Sequence, residues 1–319
     1  MMNFNSKIFV AGHRCMVGSA IVRKLQAEGY TNLLLRTKEQ LDLLDAKAVA
    51  DFFVSEKPEY VILAAAKVGG IMANNTYPAD FLYQNLQIQN NVIHNAYLSG
   101  VKKLLFLGSS CIYPRECPQP MKEEYLLTGL LEATNEPYAI AKIAGIKMCQ
   151  SYNRQYGTNF IAVMPTNLYG ENDNFDLETS HLFAAFVRKF SEAKKNNLPK
   201  VNVWGTGVAK REFLHVDDMA SGCLFLLNNF NPTKEQNETG EIFVNLGTGV
   251  DLSVKELVEH FKQVLDYQGE IEWDITKPDG TPQKLLDMTK MHEIGWKHTI
   301  DLDEGIKMTC EGYLNSIDT

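Results

Sequence analysis

Long apolar segments and closely paired cysteines are both missing from this 319-residue chain. No segment approaches the roughly 18 apolar residues that a transmembrane helix requires, and residues 1–7 contain no apolar signal segment before the first predicted strand. The six cysteines include no Cys-x-x-Cys pair, a spacing typical of zinc and redox sites. These absences predict a cytoplasmic protein with reduced thiols, no membrane span and no metal.

Positive charge is also scarce. Lys and Arg together number 31 against 39 Asp and Glu, so the formal net charge is −8. Binding to a nucleic-acid backbone requires clustered Lys and Arg, which this chain lacks, and the sequence therefore predicts no nucleic-acid partner. A substrate that carries phosphate would need positive charge gathered locally at its site.

Short apolar segments alternate with amphipathic ones over the first half of the chain. Predicted strands cover residues 7–11, 33–35, 60–64, 103–107 and 160–164, and predicted helices cover residues 20–29, 47–55, 79–98 and 137–156. This alternation predicts an α/β fold with a Rossmann-type, doubly wound parallel sheet that helices cover on both faces. After Tyr169 the pattern loosens, which predicts a second, smaller α/β lobe, and residues 242–245 are predicted to return to the main sheet.

The segment after the first predicted strand has the layout of a dinucleotide-binding loop. It comprises Gly12, His13, Arg14, Cys15, Met16, Val17 and Gly18 and leads into a helix, whose N-terminal amides attract a pyrophosphate. Cys15 stands where the usual triplet has its middle glycine. We expect its Cβ to crowd the pyrophosphate, and a positive φ at this residue would add strain of roughly 1–3 kcal/mol.

The second predicted strand ends in Arg36, 18 residues after Gly18. An acidic side chain at this point would bind the ribose 2′-hydroxyl of NAD, whereas an arginine suits a 2′-phosphate. Arg36, together with Arg14, therefore predicts a preference for NADPH over NADH.

A serine, a tyrosine and a lysine form the candidate catalytic group. Gly108-Ser109-Ser110-Cys111 ends the fourth predicted strand, and the carboxyl ends of parallel strands are where α/β folds bind ligands. Tyr138 and Lys142 are four residues apart, so they share one face of a helix. The Lys142 ammonium is expected to lower the pKa of Tyr138, which would make the phenol a proton donor and acceptor near neutral pH.

These motifs, taken together, resemble those of the GDP-L-fucose synthase family of extended short-chain dehydrogenases/reductases. The resemblance extends over essentially the whole chain. The segments that carry it are residues 10–14, 64–71, 108–114, 135–142, 164–170, 173–175, 203–207, 211–218 and 277–282. It implies NADPH-dependent 3,5-epimerisation and 4-keto reduction of GDP-4-keto-6-deoxy-D-mannose to GDP-L-fucose, and a homodimer joined through a helical bundle.

The resemblance also implies roles for individual residues. The catalytic residues would be Ser109, Cys111, Tyr138, Lys142 and His181, with Cys111 and His181 as the acid–base pair of epimerisation. Residues implied to bind NADP(H) are Gly12 to Gly18, Arg36, Leu107, Gly108, Ser109, Tyr138, Lys142, Pro165, Thr166, Asn167, Leu168 and His181. Residues implied to bind the GDP-sugar are Lys189, Trp204, Arg211 and Asp279. The NADP-binding domain would comprise residues 1–168 and 213–249, and the GDP-sugar-binding domain residues 169–212 and 250–319.

Alternatives remain for the substrate and for the direction of proton transfer. The same chemistry on another GDP-4-keto-6-deoxy sugar, such as a heptose, fits the same motifs. A dinucleotide-sensing regulator without catalysis is disfavoured, because Tyr138 and Lys142 are both retained. Cys111 is favoured as the base only if its site lowers the thiol pKa, with His181 then donating on the opposite face.

Helical spacing of apolar residues predicts where two copies would meet. Such residues recur in the helices at 79–98 and 137–156, and include Leu82, Leu86, Ile93, Tyr97, Ile140, Ala144 and Met148. Some of them must instead face the sheet, and ordinary core packing is the competing interpretation.

Overall fold

The computed structural model describes residues 2–177, 179–277 and 279–317. Its strands are β1 (Ile8–Ala11), β2 (Leu33–Leu34), β3 (Tyr60–Leu63), β4 (Lys103–Leu107), β5 (Phe160–Pro165), β6 (Asn167–Tyr169), β7 (Lys200–Trp204), β8 (Lys210–His215), β9 (Phe243–Leu246), β10 (Asp251–Ser253), β11 (Glu270–Asp274) and β12 (Gln283–Lys284). Its helices are α1 (Met16–Ala27), α2 (Ala46–Glu56), α3 (Ile71–Thr76), α4 (Pro78–Leu98), α5 (Glu136–Tyr156), α6 (Leu182–Lys195), α7 (Val216–Asn229), α8 (Lys234–Thr239), α9 (Val254–Val264), α10 (Thr289–Glu293) and α11 (Leu302–Ile317). Short 3-10 helices cover Ser110–Ile112 and Glu123–Tyr125.

The main sheet has six parallel strands in the order β2-β1-β3-β4-β5-β9. Its central strands are buried and, apart from Lys103 at the start of β4, apolar, as a sheet covered on both faces requires. Helix α1 packs against α7, while α4 packs against both α2 and α5. The predicted fold class is confirmed, and the predicted late strand does return to the sheet as β9, beside β5.

The strand order reverses at β1. The chain continues from β1 to β2 on one side, and β3, β4, β5 and β9 follow on the other side. Ligands bind at such a switch point, beyond the carboxyl ends of the strands. The chain passes so closely here that glycine is required twice. A Cβ on Gly12 would lie 2.7 Å from the Ala65 amide nitrogen, and one on Gly18 would lie 2.1 Å from the Gly12 carbonyl oxygen.

A second hydrophobic cluster lies beside the main core. Helices α6, α9 and α11 pack together over β7 and β8, and aromatic rings fill the space between them. Phe261 contacts Phe183, Phe186 and Phe190 with ring centroids 5.2, 5.8 and 5.4 Å apart. The smaller sheets are β10-β8-β12, with β6 also paired to β8, and the parallel pair β11-β7.

The predicted domain boundaries stay a prediction. Most residues of the two hydrophobic clusters belong to the domains predicted for them. Leu286, Met288, Met291 and Trp296, which the prediction assigns to the GDP-sugar-binding domain, pack into the first cluster instead. Residues 286–296 therefore cross back to the main sheet, where α10 contacts β9. None of the described helices is long and apolar enough to cross a membrane.

Glu212 links the two parts of the fold. Its buried carboxylate accepts hydrogen bonds from the amides of Thr248 (2.6 Å), Gly249 (2.7 Å) and Leu286 (2.9 Å). Hydrogen bonds to a charged acceptor contribute more than those between neutral groups. They hold the loop after β9 and the end of β12 against β8, so that the residues of β12 lie at a defined place beside Arg211.

Candidate active site

A cavity of about 440 Å³ lies at the switch point of the main sheet. This volume falls in the range of small-molecule sites, roughly 300–1,000 Å³. Five predicted cofactor residues line it, namely Gly12, His13, Arg14, Cys15 and Arg36. Met16, Val17 and Gly18 form the first turn of α1, so the helix N-terminus is directed at the cavity. The groove fits a dinucleotide whose pyrophosphate lies on this turn.

Cys15 does not carry the strain that its position in the loop suggested. Its φ is −73° and its ψ 164°, which is ordinary extended backbone, so the strain that a positive φ would add is absent. The residue acts as the N-cap of α1, and its sulfur accepts the Gly18 amide at 3.3 Å. The extended conformation follows from this capping role. Only the bulk of the side chain is left as a possible hindrance to phosphate.

Arg36 stands at the rim of the cavity with its guanidinium held in place. It forms an ion pair with Glu56 at 2.7 Å and lies over the Phe52 ring, 5.7 Å from the centroid. Both contacts orient a planar cation that matches the geometry of a phosphate group. The arrangement agrees with the predicted preference for a 2′-phosphate.

We expect Arg36→Ala to reduce the preference for NADPH over NADH by at least an order of magnitude, since a charge-assisted hydrogen bond contributes about 1.5–3 kcal/mol. The ratio of kcat/KM for the two cofactors measures the effect. Lys47→Ala, which removes an exposed lysine from neighbouring α2, provides the control. An unchanged ratio in Arg36→Ala would contradict the assignment.

Ser109, Cys111, Tyr138 and Lys142 meet where β4 ends against the start of α5. The Ser109 hydroxyl accepts the Cys111 amide at 3.4 Å. Burial raises the pKa of both the Cys111 thiol and the Tyr138 phenol, and side-chain hydrogen bonds with Ser109 oppose this rise. The Lys142 ammonium donates to the Leu107 carbonyl at 2.8 Å and lies 5.6 Å from the centroid of the Tyr138 ring. The structure therefore brings these four predicted residues together.

The expected lowering of the Tyr138 pKa is wrong for this structure. Surrounding protein desolvates the phenol and raises its pKa, and the nearby Cys111 adds to the rise, although the Ser109 hydrogen bond opposes it. The Lys142 ammonium is directed at the Leu107 carbonyl, and its charge does not outweigh this desolvation. Tyr138 is accordingly a neutral phenol at neutral pH, which suits a proton donor.

Burial lowers the pKa of Lys142 to about 8. Its ammonium is then present below that pH and is lost as the pH rises through it. We expect ketone reduction to decline on the alkaline side with an apparent pKa near 8, because the charge supports negative charge on the Tyr138 oxygen. A pH profile of kcat tests this, and Lys142→Arg should shift the decline to higher pH. A flat profile between pH 7 and 10 would count against it.

Cys111 and His181 are both neutral in this site. Burial raises the pKa of the Cys111 thiol, although Ser109, Lys284 and Lys142 oppose the rise. Burial likewise lowers the pKa of His181, and the positive charge of Lys284 adds to the effect. The condition for Cys111 as the base, a lowered thiol pKa, is therefore not met in the unliganded protein. A neutral thiol can donate a proton, and a neutral imidazole can accept one.

Several residues predicted to bind the cofactor do not line the cavity and instead support the backbone around the site. The Leu107 carbonyl holds Lys142, and Gly108 leaves space for Met164, since a Cβ on it would lie 2.2 Å from the Met164 side chain. Thr166 and Asn167 both donate to the Glu212 carbonyl, at 3.2 and 2.8 Å. Pro165 ends β5, and Leu168 lies in β6.

The predicted substrate residues gather around an exposed tryptophan. Trp204 is 53% exposed at the end of β7, with the ammonium groups of Lys189 and Lys277 at 5.6 and 5.2 Å from its ring centroid. Arg211 donates to the Asp279 carbonyl at 3.2 Å. The Asp279 carboxylate is engaged by the amide and hydroxyl of Thr206, at 2.7 and 2.8 Å. Asp279 thus holds the loop that follows Trp204, while the cations and the ring stay available to a ligand.

Two lysines of this cleft were not singled out from the sequence. Lys277 lies over Trp204, and Lys284 shares the walls of a small cavity with Cys111. The segment from Lys277 to Lys284 could have drawn attention to these lysines in the sequence, but the pairing of β12 with β8 depends on tertiary contacts.

The fold and the site define an α/β oxidoreductase with a dinucleotide cavity and a tyrosine–lysine pair beside a buried thiol. The model of the NAD dependent epimerase/dehydratase family matches residues 8–246, and the chain belongs to this family.

Relatives match nearly the whole chain. GDP-L-fucose synthase 1 of Arabidopsis thaliana is 57% identical over 99% of this chain and 96% of its own length. GDP-L-fucose synthase of Escherichia coli (strain K12) is 54% identical over 98% of both chains. Among solved structures, a GDP-D-glycero-L-gluco-heptose synthase from Campylobacter jejuni in the presence of NADPH has a TM-score of 0.92 at 41% identity, covering 98% of this chain and 100% of that chain. The resemblance stated from the motifs is confirmed.

Proposed function

We propose that this protein converts GDP-4-keto-6-deoxy-D-mannose to GDP-L-fucose by epimerisation at C3 and C5 and NADPH-dependent reduction at C4. The observation that carries the proposal is the meeting of Ser109, Cys111, Tyr138 and Lys142 where β4 ends against the start of α5. The full-length similarity to GDP-L-fucose synthases supports it.

Epimerisation needs proton removal on one face of the sugar and proton delivery on the other. A 4-ketone acidifies the protons at C3 and C5, so their removal leaves an enolate at O4. Cys111 and His181 would exchange protons with these carbons. Tyr138 and Ser109 would donate hydrogen bonds to O4 and stabilise the enolate, as in an oxyanion hole.

Reduction needs a proton donor beside the ketone, and the neutral phenol of Tyr138 supplies it. NADPH supplies the hydride to C4 when bound. Gly12 and Gly18 allow the close passage of the chain that brings the α1 N-terminus to the cavity. This N-terminus would attract the pyrophosphate, and Arg36 would bind the 2′-phosphate. Lys142 would support charge on the Tyr138 oxygen and hold the site through Leu107.

The GDP-sugar would lie along the face that carries Trp204. Its guanine would stack on the exposed ring, and Lys189 and Arg211 would neutralise the diphosphate. We assign NADP to residues 1–168 and 213–249 and the GDP-sugar to residues 169–212 and 250–319, with residues 286–296 packed on the first domain.

The direct test is consumption of NADPH by the purified protein with GDP-4-keto-6-deoxymannose, with the product identified by NMR. We expect GDP-L-fucose. A product that retains the manno configuration at C3 or C5, or no oxidation of NADPH, would exclude the proposal.

A heptose substrate is the second candidate. The structural similarity to the heptose synthase from Campylobacter jejuni favours it, with its TM-score of 0.92. The higher identity to the fucose synthases, 57 and 54% against 41%, favours the hexose. Competition between the two GDP-4-keto sugars in one assay would rank them by kcat/KM.

We also infer a homodimer joined through α4 and α5. These 21-residue helices pack side by side, and Tyr83, Leu98, Ile140 and Tyr156 remain 64, 63, 43 and 46% exposed. Ile93, one of the apolar residues predicted to lie where two copies meet, is buried in the core, so ordinary core packing explains its side chain.

Sedimentation at micromolar concentration should show a dimer, and Ile140→Glu should weaken it, because a charge would be buried in an apolar contact. Ile317→Glu, at another exposed apolar residue, provides the control. A wild-type monomer would refute the interface.

A further inference from the structure

Glu212 is a buried acidic residue to which the proposed chemistry gives no role. It lies within β8, one residue after Arg211, and its side chain is completely shielded from solvent. A buried carboxylate is costly unless hydrogen bonds compensate its charge. Burial raises the pKa of the Glu212 carboxyl, and the backbone amides that donate to its charged form oppose this rise.

The chain crosses between the main sheet and the smaller sheets at three points beside Glu212, and each crossing is hydrogen-bonded to it. The first crossing leads from β5 to β6. Here the Thr166 hydroxyl and the Asn167 side-chain amide donate to the Glu212 carbonyl, at 3.2 and 2.8 Å. The second crossing leads from β9 to β10. Here the amides of Thr248 and Gly249 donate to Oε1 of the carboxylate, at 2.6 and 2.7 Å.

The third crossing leads from β12 towards α10, which contacts β9 of the main sheet. Here the Leu286 amide donates to Oε2 of Glu212 at 2.9 Å. The backbone of the second crossing lies very close to the other oxygen, since a Cβ on Gly247 would lie 2.1 Å from Oε1. The two carboxylate oxygens therefore hold different segments, and neither segment can shift without losing a hydrogen bond.

The segments joined in this way carry residues that are assigned to both ligands. Thr166 and Asn167 are among the residues predicted to bind NADP(H), and Arg211 is assigned to the diphosphate of the GDP-sugar. Glu212 contacts the first two directly and is bonded to the third along the chain. Hydride transfer requires the two reacting carbons to be about 3–3.5 Å apart, and a misplacement of about 1 Å can cost about 10²-fold in rate.

We propose that Glu212 is a positioning residue for hydride transfer. Its carboxylate sets the place of the GDP-sugar-binding residues of β8 relative to the cofactor-binding residues that follow β5. It acts through the backbone of the three crossings and exchanges no proton with the substrate. This inference rests on the proposed function.

Glu212→Gln tests the role with little change in shape. The glutamine side chain replaces one acceptor oxygen by an amino group that only donates, so the amides of one crossing lose their acceptor. We expect single-turnover hydride transfer from NADPH to the 4-keto sugar to slow by about 10–10²-fold. NADPH deuterated at both C4 positions should give a primary isotope effect, which shows that the slowed step is the transfer itself. The Kd of NADPH should change by less than about threefold, because Glu212 does not line the dinucleotide cavity.

Asp218→Asn is the matched control for lost stability. Asp218 is also a buried carboxylate that accepts backbone amides, from Thr299 at 3.0 Å and Ile300 at 2.8 Å, but it lies on α7, outside the three crossings. Both substitutions should lower Tm, because each leaves buried amides without their charged acceptor. Hydride transfer in Asp218→Asn should nevertheless stay within about twofold of wild type, since the parts of the site are not displaced.

Gly247→Ala reaches the same contact from the opposite side and keeps the carboxylate, so it provides the test if Glu212→Gln does not fold. Its added methyl group must displace the second crossing from Glu212, and hydride transfer should slow again. Wild-type hydride transfer in either variant, or an equal loss in Asp218→Asn, would overturn the inference and leave Glu212 as a residue that only stabilises the fold. Absence of NADPH oxidation by the wild-type protein would instead remove the proposed function itself.

Discussion

Tyr138→Phe should lower ketone reduction by about 10²–10⁴-fold, the usual contribution of a positioned general acid. The structure shows why the loss is this large. Tyr138 is a neutral phenol that forms a hydrogen bond with Ser109 at the end of β4, so its removal would take away the proposed proton donor. Phenylalanine retains the ring and its edge-to-face contact with Phe81, 6.4 Å between centroids, so the fold should be kept.

Single-turnover oxidation of NADPH measures this step apart from epimerisation. Deuterium exchange at C3 and C5 should continue in Tyr138→Phe, at a rate reduced only by the lost hydrogen bond to O4. Tyr156→Phe, at the opposite end of the same helix, should behave as wild type. If Tyr138→Phe reduces the ketone at the wild-type rate, the proton comes from elsewhere.

Cys111→Ala and His181→Ala should have the opposite effect on the two half-reactions. Each would remove one member of the proposed acid–base pair, and the two members lie on different elements, the 3-10 helix after β4 and the residue before α6. We expect exchange at C3 and C5 to fall by about 10²–10⁴-fold, because inversion requires both an acid and a base. Ketone reduction needs neither and should continue, which would give an unepimerised GDP-6-deoxy sugar.

NMR of the products formed in D₂O distinguishes these outcomes. Cys117→Ala removes a half-buried thiol six residues further along and should retain full epimerisation. Wild-type exchange in both Cys111→Ala and His181→Ala would end their assignment as the acid–base pair. Loss of reduction together with exchange would indicate that the two residues bind the substrate rather than invert it.

The elements of the main sheet could be predicted from the sequence because each has a local signature. Residues 104–107 are apolar and are all buried in β4, since helices cover both faces of the sheet. Gly12 and Gly18 could likewise be predicted from the loop motif, and the structure shows the close backbone contacts that require a glycine at each position. The Tyr138–Lys142 spacing also sufficed to place both side chains on one helix face.

Protonation states could not be predicted in the same way. The sequence shows that Lys142 is near Tyr138, but the direction of the ammonium depends on the Leu107 carbonyl of a different strand. The ionisation of Cys111 similarly depends on burial and on the position of Lys284, 173 residues further along the chain. Cys15 shows the same limit. Its sulfur accepts the Gly18 amide and its backbone is extended, and the glycine pattern of the loop did not indicate this capping role.

The sequence by itself determined the parallel α/β sheet, the nucleotide loop and the spacing of Tyr138 and Lys142, because periodicity and motif spacing are local properties of the chain. The roles expected of Cys111 and His181 came from the family resemblance. The tertiary structure decided which of these residues meet and in what charge state. β12 pairs with β8 only after the chain has closed around Glu212, and this pairing carries Lys284 to the site of Cys111. Electrostatic interactions depend on distance through space and on desolvation, neither of which can be read from separation along the sequence.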